Sequence, residues 1–360
     1  MIRWRKGSVE GVRREWPGAV ELDVVIDGSP ARALAYPALV GRPEPGDTVL
    51  LNTTALAMGL GTGGYAMVVA VPDRLPPDPS GPGHLVKARY TPLQATVLGA
   101  DEQDSPHHAL LADADTLDGL PVIVADLHSA LPPILAGLLA ARPGTRVVYV
   151  MPDGGALPAW FSMSIARLTE AGVLGATVTT GQAFGGDLET VTVHTGLLAA
   201  RLVLDAEVVV LAQGPGNLGT GTRWGFSGVA AGEAINAAAV LSGRPVASLR
   251  VSEGDLRDRH VGVSHHNLTA YGRVALARAD VVLPELPGPF GARVREQAAA
   301  LGERHTLVPI PVDGLEDTLR DTEKQWGVRL STMGRGLDQD LPYFLTAAAA
   351  GRHTAALLGP

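Results

Sequence analysis

The chain has no cysteine, which removes disulfide frameworks, thiolate-ligated zinc, iron–sulfur clusters and thiol nucleophiles in one step. Lysine is scarce as well: Lys6, Lys87 and Lys324 are three of the 29 basic residues, a bias of GC-rich coding rather than of chemistry. Positive charge is not in excess, and the net charge of −8 argues against chain-wide affinity for nucleic acid or acidic lipid. Long apolar runs are missing too. The longest, residues 134–141 and 208–212, fall far short of the ~20 residues that a membrane helix needs. The basic start Met1-Ile-Arg-Trp-Arg-Lys6 is followed by no apolar stretch, so no secretory signal and no membrane partner are expected, and the setting is read as cytoplasmic.

What is present is a soluble globular composition, 46% hydrophobic with 44 Gly and 27 Pro over 360 residues. That length suits two medium domains, or one domain with an appendage. Five prolines fall between residues 71 and 83. Fixed φ and missing donors suit neither helix nor inner strand there, so 72–83 reads as a linker. Before it, runs at 20–26, 32–40, 48–51 and 65–71, with a hairpin signal at Asp27-Gly28, predict a small β-barrel or compact β domain over 1–71. Residues 1–75 hold eight Lys/Arg and eight Asp/Glu, so a nucleic-acid role for this barrel is disfavoured against docking.

After the linker, near-continuous apolar strands alternate with helical stretches. Strands are predicted at 121–125, 146–151, 176–180, 207–212, 245–251 and 281–283, with helices at 134–141, 164–171, 189–204 and 229–241. This pattern predicts an α/β domain over 84–360 with a mostly parallel, doubly wound, Rossmann-like sheet covered on both faces. A helical tail follows from about 313. The Ala/Gly-rich face at 229–240 suggests helix surfaces buried on both sides, and hence a dimer.

Nearly every strand of this domain runs into a polar or Gly-rich motif on its carboxyl side. These are Asp126-Leu-His128-Ser129, Asp153-Gly-Gly155, Gly181–Asp187, Gly214–Thr222, and Ser252–His260 followed by Ser264-His-His-Asn267. Ligands of parallel α/β sheets bind beyond the carboxyl ends of the strands, so this edge is the expected site. The stretch Gly214–Gly219 formally matches G-x-G-x-x-G, yet it follows the fourth strand and no Gly-Lys-Thr/Ser completes a P-loop. What survives is a turn whose backbone N–H groups cradle an anion, with Gly214, Gly216, Asn217, Gly219, Thr220, Thr222 and Arg259 as ligand-binding candidates. A tight turn where backbone packs closely is the bland alternative.

Seven of the ten histidines lie between 107 and 266. Imidazole and carboxylate without thiolate suit Zn²⁺, Mn²⁺ or Fe²⁺, and the metal candidates are His128, Asp187, Asp258, His260 and His266. Asp126, His128, Asp153, His260 and His265 are the candidate catalytic acid–base groups. No fixed metal-binding spacing such as H-E-x-x-H is present, and each single His also reads as a satisfied polar residue. Ser129, beside His128, is the best of the serines as a nucleophile, although no G-x-S-x-G elbow surrounds Ser129, Ser162, Ser227 or Ser264. Arg223, Arg257 and Arg259 suit a phosphate or carboxylate, or else balance Glu253, Asp255 and Asp258.

At these residues the sequence resembles a bacterial family of unknown function, domain-of-unknown-function family 3866. The resemblance is carried by Ser105-Pro-His-His108, Leu127-His-Ser129, Met151-Pro-Asp-Gly-Gly-Ala-Leu-Pro158 and Gln182-Ala-Phe-Gly-Gly-Asp187. It continues through Gly214-Pro-Gly-Asn-Leu-Gly-Thr-Gly-Thr222, Arg259-His260, Gly262-Val-Ser-His-His266 and Ser331-Thr-Met-Gly-Arg-Gly336. It implies a bacterial, cytoplasmic protein and no assigned activity. Three readings follow from the residues. The first is a metal- or histidine-dependent hydrolase or transferase acting on a small anionic substrate. The second is a non-catalytic binder of a nucleotide or other anionic metabolite. The third is a structural or complex-forming protein.

Overall fold

Alternating β-branched residues and tight turns build five strands at the start of the chain: β1 (Trp4–Trp16), β2 (Ala19–Ile26), β3 (Ser29–Ala35), β4 (Thr48–Asn52) and β5 (Ala66–Ala70). They close into a barrel in the order β1-β2-β3-β5-β4. Asp27 and Gly28, both at positive φ, make the two-residue turn between β2 and β3. Inward positions Val9, Val20, Leu22, Val24, Val49 and Leu51 form the core. Two details differ from the sequence expectation. The Arg-rich β1 was hidden by its polar alternation, and the stretch 32–40 is a strand only to Ala35, because Pro37 opens a helical turn, Pro37–Val40.

In this computed structural model, which describes residues 1–61 and 63–359, the chain divides into two compact units. One is Met1–Val97 and the other is the remainder from Leu98. The second unit carries eight parallel strands: β6 (Pro121–Ala125), β7 (Val147–Met151), β8 (Ala176–Thr180), β9 (Leu188–Thr190), β10 (Val208–Ala212), β11 (Arg244–Ser248), β12 (Asp280–Pro284) and β13 (Thr306–Ile310). Their order across the sheet is β9-β8-β7-β10-β6-β11-β12-β13. All residues of β6, β7 and β10 are buried, the mark of inner strands covered on both faces. Truncating a side chain such as Ile123 there to Ala would cost about 2–5 kcal/mol.

The covering helices are α1 (Leu131–Ala141), α2 (Met163–Glu170), α3 (Val193–Leu202), α4 (Ala230–Val240), α5 (His265–Thr269), α6 (Gly288–Ala298), α7 (Leu315–Trp326) and α8 (Leu341–Leu357). Helices α1 and α8 approach at backbone distance. A Cβ on Gly137 would lie 1.9 Å from the Ala348 carbonyl oxygen, and one on Gly351 would lie 2.0 Å from that of Ile134. The Ala/Gly face of α4 packs closely too: a Cβ on Gly232 would lie 2.3 Å from the Ala270 carbonyl oxygen.

Six sheet strands were expected and eight are present. The added β9 occupies the start of the stretch expected to be one helix from 189 to 204, and β13 lies beyond the last strand expected. The expected strand 245–251 ends at Ser248; Val251 and Ser252 instead pair antiparallel with Val263 and Gly262. The decisive topological fact is the order. The chain runs outward from β6 through β7, β8 and β9, returns to insert β10 beside β6, then crosses to β11 on the other side. Loops after β6, β10 and β11 therefore meet at the switch point, where α/β sheets open a ligand crevice. No helix among the described residues is long and apolar enough to cross a membrane.

Candidate metal centre at the carboxyl edge of the sheet

Three segments deliver the site. Strand β6 leads into Asp126, β10 leads into Gln213, and β11 runs into Arg250 and the ribbon formed by Val251–Ser252 and Gly262–Val263. Gly262 takes φ +80°, where a Cβ would collide with the Gln297 side-chain oxygen at 2.0 Å. That turn brings His260 back beside α5, whose N-cap Ser264 accepts the His266 backbone N–H. After Thr269 the helix widens into a π turn, Ala270–Val274, a form frequent near functional sites. The turn wedges Tyr271 inward, so that its hydroxyl lies 3.1 Å from both the Val124 and Ser248 carbonyl oxygens, at the ends of β6 and β11.

His260, His265 and His266 converge there. One ring nitrogen from each lies within 4.8 Å of the others, and ring centroids are 4.4–5.0 Å apart. His260 Nδ1 is 2.8 Å from Ser264 Oγ. When Nδ1–H donates to that oxygen, Nε2 keeps its lone pair free for a ligand. His265 Nε2 and His266 Nδ1 are buried with no hydrogen-bond partner. Burial first, then neighbouring imidazoles and arginines, lowers all three pKa values, those of His260 and His266 to about 3. Neutral imidazoles are the form in which histidine ligates metal.

On the same edge, after β6, lies Asp126, buried, with Oδ2 unpartnered. Desolvation raises its carboxyl pKa, while the Arg250 charge and the Asn267 amide work against the rise. Arg250 is itself buried; its guanidinium reaches Asp255 Oδ2 at 3.4 Å, and its backbone N–H donates to Asn267 Oδ1. Gln213 Nε2 donates to the Asp126 carbonyl at 2.7 Å. Among the described residues, five buried side-chain atoms lack a partner: Asp126 Oδ2, Gln213 Oε1, His265 Nε2, His266 Nδ1 and Asn267 Nδ2. All five belong to the segments that follow β6, β10 and β11. A buried polar atom left unpaired costs about 1–3 kcal/mol and is rare in native folds, so their concentration in the segments that follow these three strands makes this edge the candidate site.

His128 belongs to a different network. Its Nδ1 is 2.9 Å from the Tyr149 hydroxyl and its Nε2 is 2.6 Å from Ser162 Oγ. Tyr149 in turn donates to the Ala212 carbonyl at 2.8 Å, so Nδ1 carries the proton and Nε2 accepts from Ser162. Ser162 also accepts the Ile165 N–H as N-cap of α2. Burial pushes the His128 imidazole down to about 4.

The other candidates are dispersed, which corrects the metal set drawn from the sequence. Asp187 accepts the Thr177 N–H at 2.8 Å and the Thr177 hydroxyl at 2.9 Å, at the amino end of β8. Asp258 is exposed at the start of the turn leading to His260. With His128 tied to Tyr149 and Ser162, only His260 and His266 of that set come together, and His265, expected as an acid–base group, is their third partner. Asp153 is exposed and accepts the Gln182 N–H at 3.0 Å, tying two loops. Ser129 Oγ is 2.7 Å from the Tyr343 hydroxyl and 3.2 Å from Thr332 Oγ1.

The Gly-rich stretch is a hairpin and not a helix-opening phosphate loop. Ser227 N–H donates to the Leu218 carbonyl, Gly219 bridges Phe226, and Thr220 N–H donates to the Gly225 carbonyl. Thr220 and Thr222 hydroxyls bond each other at 3.1 Å, and Asn217 Oδ1 accepts the Ser227 hydroxyl. Gly214 and Gly216 lie at its base, where a Cβ on Gly214 would lie 2.7 Å from the Ala156 carbonyl oxygen. This side of the crevice opens on a cleft of about 680 Å³ lined by Gly221, Arg223, Arg259, His265 and Arg273 among others.

Sequence reading missed Arg250, Tyr271 and Tyr149, and it placed Asn267 at the carboxyl edge and weighed Ser162 as a nucleophile without giving either the hydrogen-bonding role found here. Only the strand-end position of Arg250 and the adjacency of Asn267 to the His pair were available as signals. The family model described as "Protein of unknown function (DUF3866)" matches residues 32–351. No curated protein matches the chain.

Proposed function

The chain belongs to the DUF3866 family, described as proteins of unknown function, and from that premise we propose that it is a metal-dependent hydrolase or transferase. Its centre is a divalent transition-metal site formed by His260, His265 and His266. The observation that carries this reading is the convergence of three ring nitrogens within 4.8 Å, two of them on rings with a buried, unpartnered nitrogen. The donor set fits the group: three neutral imidazoles with no thiolate suit Zn²⁺, Fe²⁺ or Mn²⁺, with coordination positions left over for water and substrate. When bound, such an ion supplies Lewis acidity and lowers the pKa of a water toward neutrality.

The chain's own residues supply the rest. Ser264 orients His260, and the Phe226 ring, stacked on His266, fixes that imidazole. Asp126, its carboxyl pKa raised by burial, holds or releases a proton at Oδ2. Arg250 keeps a fixed positive charge behind it. The test is elemental analysis of full-length protein purified without an affinity tag or chelator, beside His265→Gln and His266→Gln. About one equivalent of transition metal in the wild type, lost in both folded variants, supports the reading. No metal in the wild type, and none taken up from added Zn²⁺, overturns it and favours a non-catalytic binder of an anionic metabolite.

A further inference from the structure

The cleft beside His265 has a charge pattern that the fold itself does not need. Three arginines line it: Arg223 from the hairpin, Arg259 from the turn before His260, and Arg273 from the π turn. All three are exposed, and among the described residues none has a carboxylate within ion-pair distance. The contrast with their neighbours is informative. Arg257 is consumed by Asp255 at 2.8 Å, and Arg335 by Asp255 and Asp340 at 3.2 and 3.0 Å. Asp255 and Asp340 are therefore spent on Arg250, Arg257 and Arg335, and the nearby Glu253 and Asp258 do not line the cleft, while Arg223, Arg259 and Arg273 are left over. Glu303 is the one carboxylate lining the cleft. The other polar linings are already engaged: Gln297 bonds the Val261 and Val263 backbone, and the Thr269 hydroxyl donates to the His265 carbonyl.

We infer that this cleft binds the phosphoryl group of a small phosphate ester, with Arg223, Arg259 and Arg273 on its oxygens and His265 at its inner end. Three guanidiniums against one carboxylate match a dianion better than a carboxylate, and guanidinium forks pair bidentately with phosphate oxygens. A volume of about 680 Å³ suits a small molecule. The inference deepens the metal reading and rests on it for the reaction alone, because the arginines are placed independently of the ion. In that reaction a water oxygen–phosphorus bond forms as the phosphorus–ester oxygen bond breaks. The departing alkoxide takes up a proton released by the water, so an alcohol and inorganic phosphate result.

The test is calorimetric titration of the full-length, chelator-treated protein with inorganic phosphate at low ionic strength, with acetate as the control anion. Wild type is expected to bind phosphate saturably, and Arg223→Gln, Arg259→Gln and Arg273→Gln each to weaken binding about tenfold or more. Arg167→Gln, which removes an exposed arginine paired with Glu170, controls for net charge and is expected to change nothing. All four positions are exposed, so near-ultraviolet circular dichroism is expected to be unchanged. No saturable phosphate binding, acetate binding as tightly, or an equal loss in Arg167→Gln overturns the inference. A protein that takes up no metal yet binds phosphate through these arginines overturns the metal reading and keeps this one; metal uptake without phosphate binding does the reverse.

Discussion

The imidazole of His266 lies flat on the ring of Phe226, with centroids 3.8 Å apart and planes 2° from parallel. Phe226 is held at the base of the hairpin by the bridge to Gly219 and is buried. Residues of the β10–α4 loop therefore set the orientation of a ring carried by α5, forty positions later. The loop that carries the Gly-rich stretch thus touches the histidine cluster through this aromatic contact.

Replacing that ring tests the link. Phe226→Leu keeps an apolar side chain of similar reach and removes the flat support, so His266 gains rotational freedom. The expected outcome is a metal affinity weaker by about 10- to 100-fold, the usual cost of losing a group that orients a ligand. Competition against a chromophoric chelator measures it. Unfolding in urea should change by only about 1 kcal/mol, as for other buried apolar swaps of similar volume.

His128 gives a pH prediction. Its folded pKa lies near 4 against an ordinary value of 6.5, through burial. Between those two values the unfolded chain takes up a proton that the folded chain refuses, so this group removes stability as pH falls through that window. The contribution is on the order of 3 kcal/mol from pH 7 down to pH 4. His128→Gln loses bonds to Tyr149 and Ser162 and should be less stable at pH 7. Its stability should then fall less steeply on acidification than that of the wild type. Parallel slopes in urea titrations at pH 7, 5.5 and 4 would contradict the assignment.

The sheet was legible because inner strands such as 121–125 and 207–212 are apolar on both faces and appear as expected or within a residue, while 176–180, found as expected, is β-branched and buried although Thr-rich. The carboxyl edge was legible for the same reason, since polar residues can follow such strands only where the sheet opens. What could not be read was the lateral order of the strands. Only with β6 placed between β10 and β11 do Asp126, Gln213 and Arg250 become neighbours. Without that order, His128 next to Asp126 in sequence looked like its partner in space. The 3-10 turn at His128–Ala130 instead sends that ring toward Tyr149 on β7 and Ser162 before α2. Likewise β1 was missed because Arg and Glu alternate outward along it, and local polarity conceals a strand whose inward positions are few.

The α1–α8 contact offers a sharp stability test. Ala at position 137 or 351 would put a methyl group about 2 Å from a facing carbonyl oxygen, on helices whose backbones cannot both shift without opening the sheet face. Gly137→Ala and Gly351→Ala should each lose about 3 kcal/mol or more. Gly11→Ala, where nothing lies within 4 Å of the added carbon, should stay within about 1 kcal/mol of the wild type. Chemical denaturation of the three variants separates the cases.

Asp126→Asn decides what the buried carboxyl is for. Its folded pKa is raised above the ordinary 3.8, chiefly by desolvation. Below that ordinary value both states are protonated and the group is neutral to stability. Above it the unfolded chain ionises first, and the folded carboxyl becomes progressively more destabilising until its own pKa is passed. Asn keeps the shape without the charge, so the metal-free variant should melt higher than the wild type at pH 8, with the difference shrinking toward pH 4. On the proposed function, turnover on a phosphate ester should fall by about 100-fold or more, the scale of a lost acid–base group, while Zn²⁺ content stays unchanged because Asp126 is not one of the three converging histidines. A lower melting point at pH 8 would mean that the carboxylate is instead a working partner of Arg250. Its open oxygen would then belong to the fold and not to the reaction.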